Sequence, residues 1–434
     1  DEITSADMEI SFDIKVISKD VLEKATSADL IEEKMTPLFA DGISDRYAKR
    51  LEKILNRRVI PLGAAGGGKS PTNLSWKPQP GAAVGVVLAW GDYVMGSIGT
   101  LTTLSKDGRF LAFAHPMLEK GASAYGLTDA YIIQIIPSID NSFKYGYMGK
   151  ISGKVTQDRP EAIGGKIGRL APASSYTIKF HDIESEKTEI KRFQTVADPH
   201  IGPEIASAGI LGMIDNLWVR KGAGTARVSY TISGGSLTPA WTHTNIYYSE
   251  KDVVKTMQKE IEALGKILSL NPFREISPYG VNLDVELTKS PRIVYIDKVE
   301  IVDEKESYGP GDDVKVDVTF RPWRRRPIVK TFTLTVPEDA EQYCEITARG
   351  GGIDEPEQEA ILTGTRAIAT FDELISELNA SETNNQIIIE IEGPEKDKLF
   401  DEDEKTSEER EETSDDKKDK KEKSDEPKRS KGTK

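Results

Sequence analysis

The feature that most constrains the fold is a series of short apolar or alternating runs between Gly81 and Gly235, separated by Gly, Pro, Asp or Asn. Runs of this length suit strands, and turn residues between them favour tight reversals of the chain. The predicted strands are 83–90, 99–104, 109–114, 131–136, 175–180 and 227–232. The sequence therefore predicts a mainly β protein.

A second β-rich block follows at residues 283–394. Its turn Pro310-Gly311-Asp312 is of the kind that joins sandwich strands, so we predict a C-terminal β-sandwich-like domain. The strands predicted there are 285–287, 294–302, 314–320, 329–336 and 386–391. Apolar residues at helical spacing predict few helices, at 44–56, 201–217, 253–268 and 368–378.

These patterns divide the chain into five predicted parts. They are a mixed N-terminal segment with a Gly-rich linker (1–80), a β domain (81–248), a helical connector (249–282), the sandwich-like domain (283–394) and a charged tail (395–434). In the first part, 11–17 alternates like a strand and 27–34 reads as the start of a short helix. Residues 401–434 contain 14 Asp/Glu and 11 Lys/Arg but no aromatic residue, so we expect a disordered charged tail.

Composition excludes several functional classes. A net charge of −14 argues against nucleic-acid binding, which needs clustered Lys and Arg. The single cysteine, Cys344, excludes an internal disulfide and a cysteine-based metal cluster. No apolar stretch reaches the roughly 18 residues of a membrane span, so we expect no transmembrane segment. Because the chain starts at Asp1, we expect a processed product whose signal peptide, if it had one, is removed.

His115 is the candidate catalytic residue. It follows an apolar run at a predicted strand end, where a β-barrel peptidase places its general base. The alternative is a buried histidine with satisfied hydrogen bonds. The other histidines, His181, His200 and His243, lie far from it in sequence and show no metal-ligand spacing, so no metal is expected.

Three further motifs are better explained by structure than by chemistry. Gly63-Ala-Ala-Gly-Gly-Gly-Lys69-Ser70 fits the Walker A pattern, but no helix pattern follows it, so we interpret it as a flexible linker. The loop-like 156–159 and Gly-rich 164–169 favour structural turns over an oxyanion site. The basic cluster 321–326 favours a solvated hairpin turn, with contact to an acidic polymer or lipid head groups as the alternative.

Two consecutive motifs lead up to His115. Gly96-Ser-Ile-Gly99-Thr100-Leu-Thr102 reads as a strand, and Asp107-Gly108-Arg-Phe-Leu-Ala-Phe-Ala-His115-Pro116 reads as a turn and an apolar strand that ends in histidine. Together they resemble the SpoIVB-type serine peptidase family (stage IV sporulation protein B and its bacterial relatives). That family shows a G-x-G-T-x-T strand, a turn and an apolar strand ending in Gly-His. Ala114 stands where the family has glycine.

A long, non-sporulation branch of that family resembles the chain over roughly residues 30–390. The matching segments are Met35-Thr-Pro-Leu-Phe39 with the helix after it, 80–84, 136–138, 142–144, 153–159, 164–169, and the β domain around 310–312 and 318–322.

The resemblance implies a chymotrypsin-like double β-barrel with a Ser–His–Asp triad, in which His115 is the general base. The serine peptidase mechanism that the resemblance implies needs no metal or organic cofactor. The family's nucleophile lies in a Gly-Met-Ser-Gly-Ser-Pro motif, and no serine of this chain has a Gly-x-Ser-Gly setting. By the resemblance that motif precedes residue 1, since Ile3-Thr-Ser-Ala-Asp-Met8 is similar to the end of the peptidase segment. We expect the serine and the aspartate either to come from an upstream segment or to be lost.

Two functional hypotheses follow. In the first, the chain is the C-terminal part of an extracytoplasmic bacterial serine peptidase and needs an N-terminal peptidase fragment, with protein as the substrate. In the second, it is a non-catalytic envelope scaffold or binding protein on the same fold. A soluble multi-domain β protein of unrelated function is the general alternative. Under either of the first two hypotheses the chain by itself is expected to lack serine hydrolase activity.

Overall fold

The computed structural model describes residues 36–62, 76–137, 142–235, 237–302, 305, 307–340, 344–352 and 368–392. The predictions for 11–17, 27–34, the Walker-like segment and the charged tail lie outside these residues. The chain divides into two compact units. Unit 1 comprises residues 1–173 and 193–212, and unit 2 comprises 174–192 and 213–434.

The described residues form 18 strands and are mainly β, as predicted. In chain order the strands are β1 (Leu38–Asp41), β2 (Val59–Pro61), β3 (Ala83–Gly91), β4 (Val94–Leu104), β5 (Arg109–Ala112), β6 (Gly121–Ile136), β7 (Phe143–Arg159), β8 (Ala162–Ile167), β9 (Ala173–Asp182), β10 (Lys187–Val196), β11 (Gly224–Gly234), β12 (Leu237–Ser249), β13 (Gly280–Thr288), β14 (Val294–Ile301), β15 (Asp313–Pro322), β16 (Ile328–Thr335), β17 (Glu345–Gly350) and β18 (Ile387–Glu392).

Four helices are found in the same residues, each within a few residues of its predicted position. They are α1 (Asp45–Leu55), α2 (Gly202–Trp218), α3 (Val253–Leu270) and α4 (Phe371–Ala380). Thr370 caps α4, because its side chain accepts a hydrogen bond from the Glu373 N–H. Ser44 lies at the N-cap of α1, but its side chain forms no capping bond there.

Six strands of unit 1 close into an antiparallel barrel. The order β3-β6-β7-β8-β5-β4 returns to β3 because β3 also pairs with β4. Each neighbouring pair in this ring is antiparallel. Closure leaves these strands without a free edge over their paired length. The barrel brings the end of β5, and therefore His115, next to β4 and β8.

The barrel core is built from the buried side of each alternating strand. Its apolar residues are almost fully inaccessible, and they include Val84, Val86, Ile98, Leu101, Phe110, Ala112, Leu127, Val155 and Ile163. β1 adds to the outside of β4, and its Phe39 ring lies 6.0 Å from that of Phe143 and 6.1 Å from that of Tyr145. β1 therefore places the preceding residues, Thr36 and Pro37, on the barrel wall.

Unit 2 contains a mixed sheet in the order β12-β11-β13-β9. β13 runs antiparallel to β11 and parallel to β9. The strand predicted at 285–287, which corresponds to β13, was assigned to the sandwich-like domain (283–394). β9, β11 and β12 lie in the predicted β domain (81–248). The structure differs from that grouping, because a strand pattern identifies a strand and not its partner. α3 packs on β11 and β12 through a buried face that includes Met257, Ile261 and Leu264, so it is more than a connector.

The remaining strands of unit 2 form two smaller sheets, β14-β15-β16 and β17-β18. Val314, Val316, Val318 and Phe320 of β15 are buried, and apolar residues of β17 and β18 pack against them. Two sheets that share one apolar core are the arrangement of a sandwich. Both sheets lie within the predicted β-sandwich-like domain, 283–394.

Candidate functional site

The chain leaves β5 in an unusual conformation just before His115. Phe113 and Ala114 have φ values of +72° and +59°, in the left-handed region that few residues other than glycine adopt. The predicted strand 109–114 therefore ends at Ala112, two residues early. This left-handed pair turns the backbone out of the barrel wall and presents the imidazole of His115.

The Phe113 ring holds this turn against the barrel. Phe113 is buried, and its ring lies directly over Gly99 of β4, where a Cβ atom would clash with it. The centroids of the Phe113 and His115 rings are 5.4 Å apart. Gly99 thus provides the space that allows the aromatic ring, and with it the histidine, to lie against β4.

Both ring nitrogens of His115 are hydrogen-bonded to neutral groups. Nδ1 lies 2.7 Å from the carbonyl oxygen of Pro116, and Nε2 lies 2.9 Å from Oγ1 of Thr36. Because a carbonyl oxygen only accepts, Nδ1 carries the hydrogen of the neutral ring. Nε2 then has the free lone pair and accepts a hydrogen bond from the Thr36 hydroxyl. The side chain is therefore arranged as a base facing a hydroxyl group.

A buried carboxylate fixes the backbone that follows His115. Asp158 is fully inaccessible and lies near the end of β7. It accepts hydrogen bonds from the N–H groups of Met117 at 2.8 Å and Leu118 at 2.7 Å. Bonds to a charged acceptor are stronger than neutral ones, so Asp158 is the main polar anchor of the His115 loop. The loop predicted at 156–159 is in fact strand, and it supplies this anchor.

Two other groups complete the surroundings. The pKa of the Tyr125 hydroxyl is raised, first by burial and then by the negative charge of Asp158, so Tyr125 is a neutral phenol at physiological pH. Ser97 donates a hydrogen bond to the carbonyl oxygen of Pro37 at 3.1 Å and thereby ties the segment that bears Thr36 to β4.

Sequence reasoning identified His115 but missed Thr36 and Asp158. Thr36 is 79 residues from His115, and Asp158 is 41 residues from Met117. The only signal for either residue was that both fall in segments that resemble the SpoIVB-type branch.

A groove of about 720 Å³ lies on the outer side of the same barrel wall. Leu111 of β5, which is 47% exposed, and the glycines of β8 form its apolar part. Arg109 and Arg159 contribute cationic groups and Asp107 and Glu161 acidic ones. Such a groove suits an extended peptide with one apolar side chain.

The other histidines are not brought near His115 by any hydrogen bond or ring contact among the described residues. His181 Nδ1 lies 3.0 Å from Thr188 Oγ1 at the surface. The backbone N–H of His200 donates a hydrogen bond to the Asp198 carboxylate in a turn. In the described part of the chain no group of three or more metal-binding side chains is found.

His243 belongs to a buried polar cluster in unit 2. Its Nε2 lies 2.6 Å from Oε1 of Glu260, and the other carboxylate oxygen accepts from Asn245 at 2.6 Å and Tyr247 at 2.5 Å. The His243 ring is stacked on that of Trp241, with centroids 5.4 Å apart. Burial, followed by neighbouring negative charge, holds the pKa of the Tyr247 hydroxyl well above its usual value. The cluster joins α3 to β12.

No protein-family model, no curated protein and no solved structure matches the chain. Of the helices that the structure describes, none is long and apolar enough to cross a membrane.

Proposed function

We propose that this chain carries the general base, His115, of a SpoIVB-like serine peptidase of the bacterial cell envelope or secreted fraction. In this proposal the nucleophilic serine comes from a segment outside the 434 residues. The observation that carries the proposal is the orientation of the imidazole. Its Nδ1–H is bound by the Pro116 carbonyl, and its Nε2 lone pair faces a hydroxyl group.

The mechanism follows from this geometry. A serine hydroxyl that takes the position of the Thr36 hydroxyl attacks the acyl carbon, and its proton passes to Nε2 of His115. The same proton then goes to the leaving amine. In a triad a carboxylate stabilises the resulting imidazolium. Here the Pro116 carbonyl occupies Nδ1 and fixes the tautomer, and it contributes less stabilisation because it is neutral.

Three further features support the proposal. Ala114 has a left-handed φ of +59°, which explains why glycine suits the corresponding position in the family that the motif resembles. The closed six-stranded antiparallel barrel is the type of scaffold on which such a histidine is expected. The groove beside Leu111 provides a place for an apolar substrate side chain near the strand that leads to His115.

The second candidate function is a non-catalytic scaffold, and one observation favours it. Both nitrogens of His115 already have partners inside the chain, as in a histidine that only stabilises the fold. The two functions differ in whether a serine can displace the Thr36 hydroxyl.

The test is fluorophosphonate labelling of the native polypeptide, purified from its source without proteolysis, beside the 434-residue chain alone. We expect the native protein to be labelled at a serine in a Gly-Met-Ser-Gly-Ser-Pro motif. His115→Gln should abolish this labelling, whereas His200→Gln, at an exposed histidine, should not. The chain alone should remain unlabelled. Two results would contradict the proposal. The first is labelling of the 434-residue chain alone that a single Ser→Ala change abolishes. The second is labelling of the native protein that survives His115→Gln.

A further inference from the structure

The hairpin between β15 and β16 carries the only dense run of arginines in the sequence, at Arg321-Pro-Trp-Arg-Arg-Arg326. The structure confirms a turn there, at the junction of the two strands. We call Trp323, Arg324, Arg325 and Arg326, together with Tyr295 of β14, the basic hairpin tip. This surface has no part in the proposed peptidase chemistry.

Most of the positive charge of this turn is not paired with acidic groups among the described residues. Arg321 is paired with Asp297 at 2.6 Å. Arg324, Arg325 and Arg326 are exposed and form no ion pair among the described residues. Arg324 instead lies over the Trp323 ring, with its guanidinium carbon 5.2 Å from the ring centroid. Three cations therefore face solvent on a chain whose net charge is −14.

Apolar side chains surround these cations. Tyr295 is 45% exposed, and the centroid of its ring lies 6.4 Å from that of Trp323. Val294, Ile328 and Val329 are each more than half exposed. The strand register places them at the same end of the sheet, since Val294 pairs with Pro322 and Ile328 with Phe320. Val329 lies on the opposite face of the sheet from Val294 and Ile328, so apolar side chains lie on both faces at the end of the sheet that carries the arginines.

We propose that the basic hairpin tip docks on an anionic lipid surface. A soluble polyanion would satisfy the arginines but would leave Val294, Ile328 and Val329 in water. A membrane interface accommodates both, because aromatic and aliphatic groups enter the region between head groups and acyl chains while the arginines contact lipid phosphates. The tip binds peripherally, and this binding is independent of the peptidase activity proposed for His115.

The test is co-sedimentation of the full chain with vesicles of phosphatidylcholine, with and without phosphatidylglycerol. We expect binding only to vesicles that contain phosphatidylglycerol, and weaker binding as salt is added. Neutralising one arginine, as in Arg325→Gln, should weaken partitioning about fivefold, and neutralising all three should weaken it more than about 100-fold. Trp323→Ala should weaken binding at both low and high salt.

A matched control exists in unit 1, where Lys106, Lys120 and Lys150 are also exposed. Their triple change to Gln alters net charge equally and should leave vesicle binding unchanged.

Quenching of tryptophan fluorescence by brominated lipid should disappear in Trp323→Phe, although four other tryptophans remain. Three results would overturn the proposal: no binding to anionic vesicles, equal loss in the lysine control, or binding to heparin but not to vesicles.

Discussion

The rings of His115 and His243 have different hydrogen-bond partners at Nε2. His115 is partly buried in unit 1 and accepts, at Nε2, the hydrogen of a threonine hydroxyl. His243 is buried in unit 2 and donates its Nε2–H to the carboxylate of Glu260. Nε2 of His115 therefore presents a lone pair to a hydroxyl group, whereas Nε2 of His243 carries a hydrogen and presents no lone pair. The two rings therefore differ in the tautomer and in the neighbour of Nε2, and the proposal that His115 is a general base depends on this difference.

The support of each histidine also differs. In unit 2 the carboxylate of Glu260 contacts the imidazole itself. In unit 1 the carboxylate of Asp158 accepts hydrogen bonds from the backbone N–H groups of Met117 and Leu118, and among the described residues it forms no hydrogen bond with the imidazole. The four changes that follow test this contrast, from the largest expected effect to the smallest.

Glu260→Ala is expected to have the largest effect on stability. It removes the acceptor of His243, Asn245 and Tyr247 in a buried site, which should lower the free energy of unfolding by about 4 kcal/mol. Hydrogen exchange of α3 and β12 amides, with chemical denaturation of the whole chain, measures the loss. Glu260→Gln keeps the shape and one oxygen, so its loss should be clearly smaller. A loss below about 1 kcal/mol for Glu260→Ala would show that the cluster is not structural.

Asp158→Ala should come next, at about 3 kcal/mol, because two buried N–H groups lose a charged acceptor. The expected signature is faster hydrogen exchange at Met117 and Leu118. Asp158→Asn retains one acceptor oxygen and should protect one of the two amides. Unchanged exchange in Asp158→Ala would mean that the loop is held by other contacts.

Gly99→Ala should destabilise unit 1 by about 2 kcal/mol, since its methyl group overlaps the Phe113 ring. Gly350→Ala is a suitable control, because a Cβ there meets nothing within 4 Å. Thermal denaturation compares the two. Equal melting temperatures for both variants would contradict the close packing of Phe113 on β4.

Thr36→Val should have the smallest effect on stability, about 1 kcal/mol, because it removes one hydrogen bond and retains the volume. The ring resonances of His115 should shift, while those of His243 should not. Thr36→Ser keeps the hydroxyl group and serves as the control. If the His115 resonances are unchanged in Thr36→Val, the hydroxyl is not their partner in solution.

Local features of the fold could be predicted from the sequence. The apolar runs located β3 and β9 closely, because strand alternation depends on neighbouring residues. Strand partners could not be predicted in this way. β13 lies between β11 and β9 through pairings across 47 residues or more, which no local pattern encodes.

For the candidate site, too, a local motif could be recognised from the sequence, but contacts between distant residues could not. His115 was visible because a motif surrounds it, whereas the contact of Thr36 with His115 and that of Asp158 with Met117 and Leu118 depend on the pairing of distant strands. The position of Ile328 and Val329 within the sheet could not be predicted from the sequence either. The run 329–336 predicted a strand, but only the register shows that Ile328 and Val329 lie at the end of the sheet where the hairpin turns.

The most direct test of the central claim is the protonation of the imidazole nitrogens at neutral pH, measured by long-range ¹H–¹⁵N NMR on the full chain. The structure predicts that neutral His115 carries its hydrogen on Nδ1, with Nε2 unprotonated, and that His243 has a protonated Nε2. A His115 ring with its hydrogen on Nε2 would contradict the claim, because such a ring cannot accept the proton of a nucleophilic hydroxyl at that position.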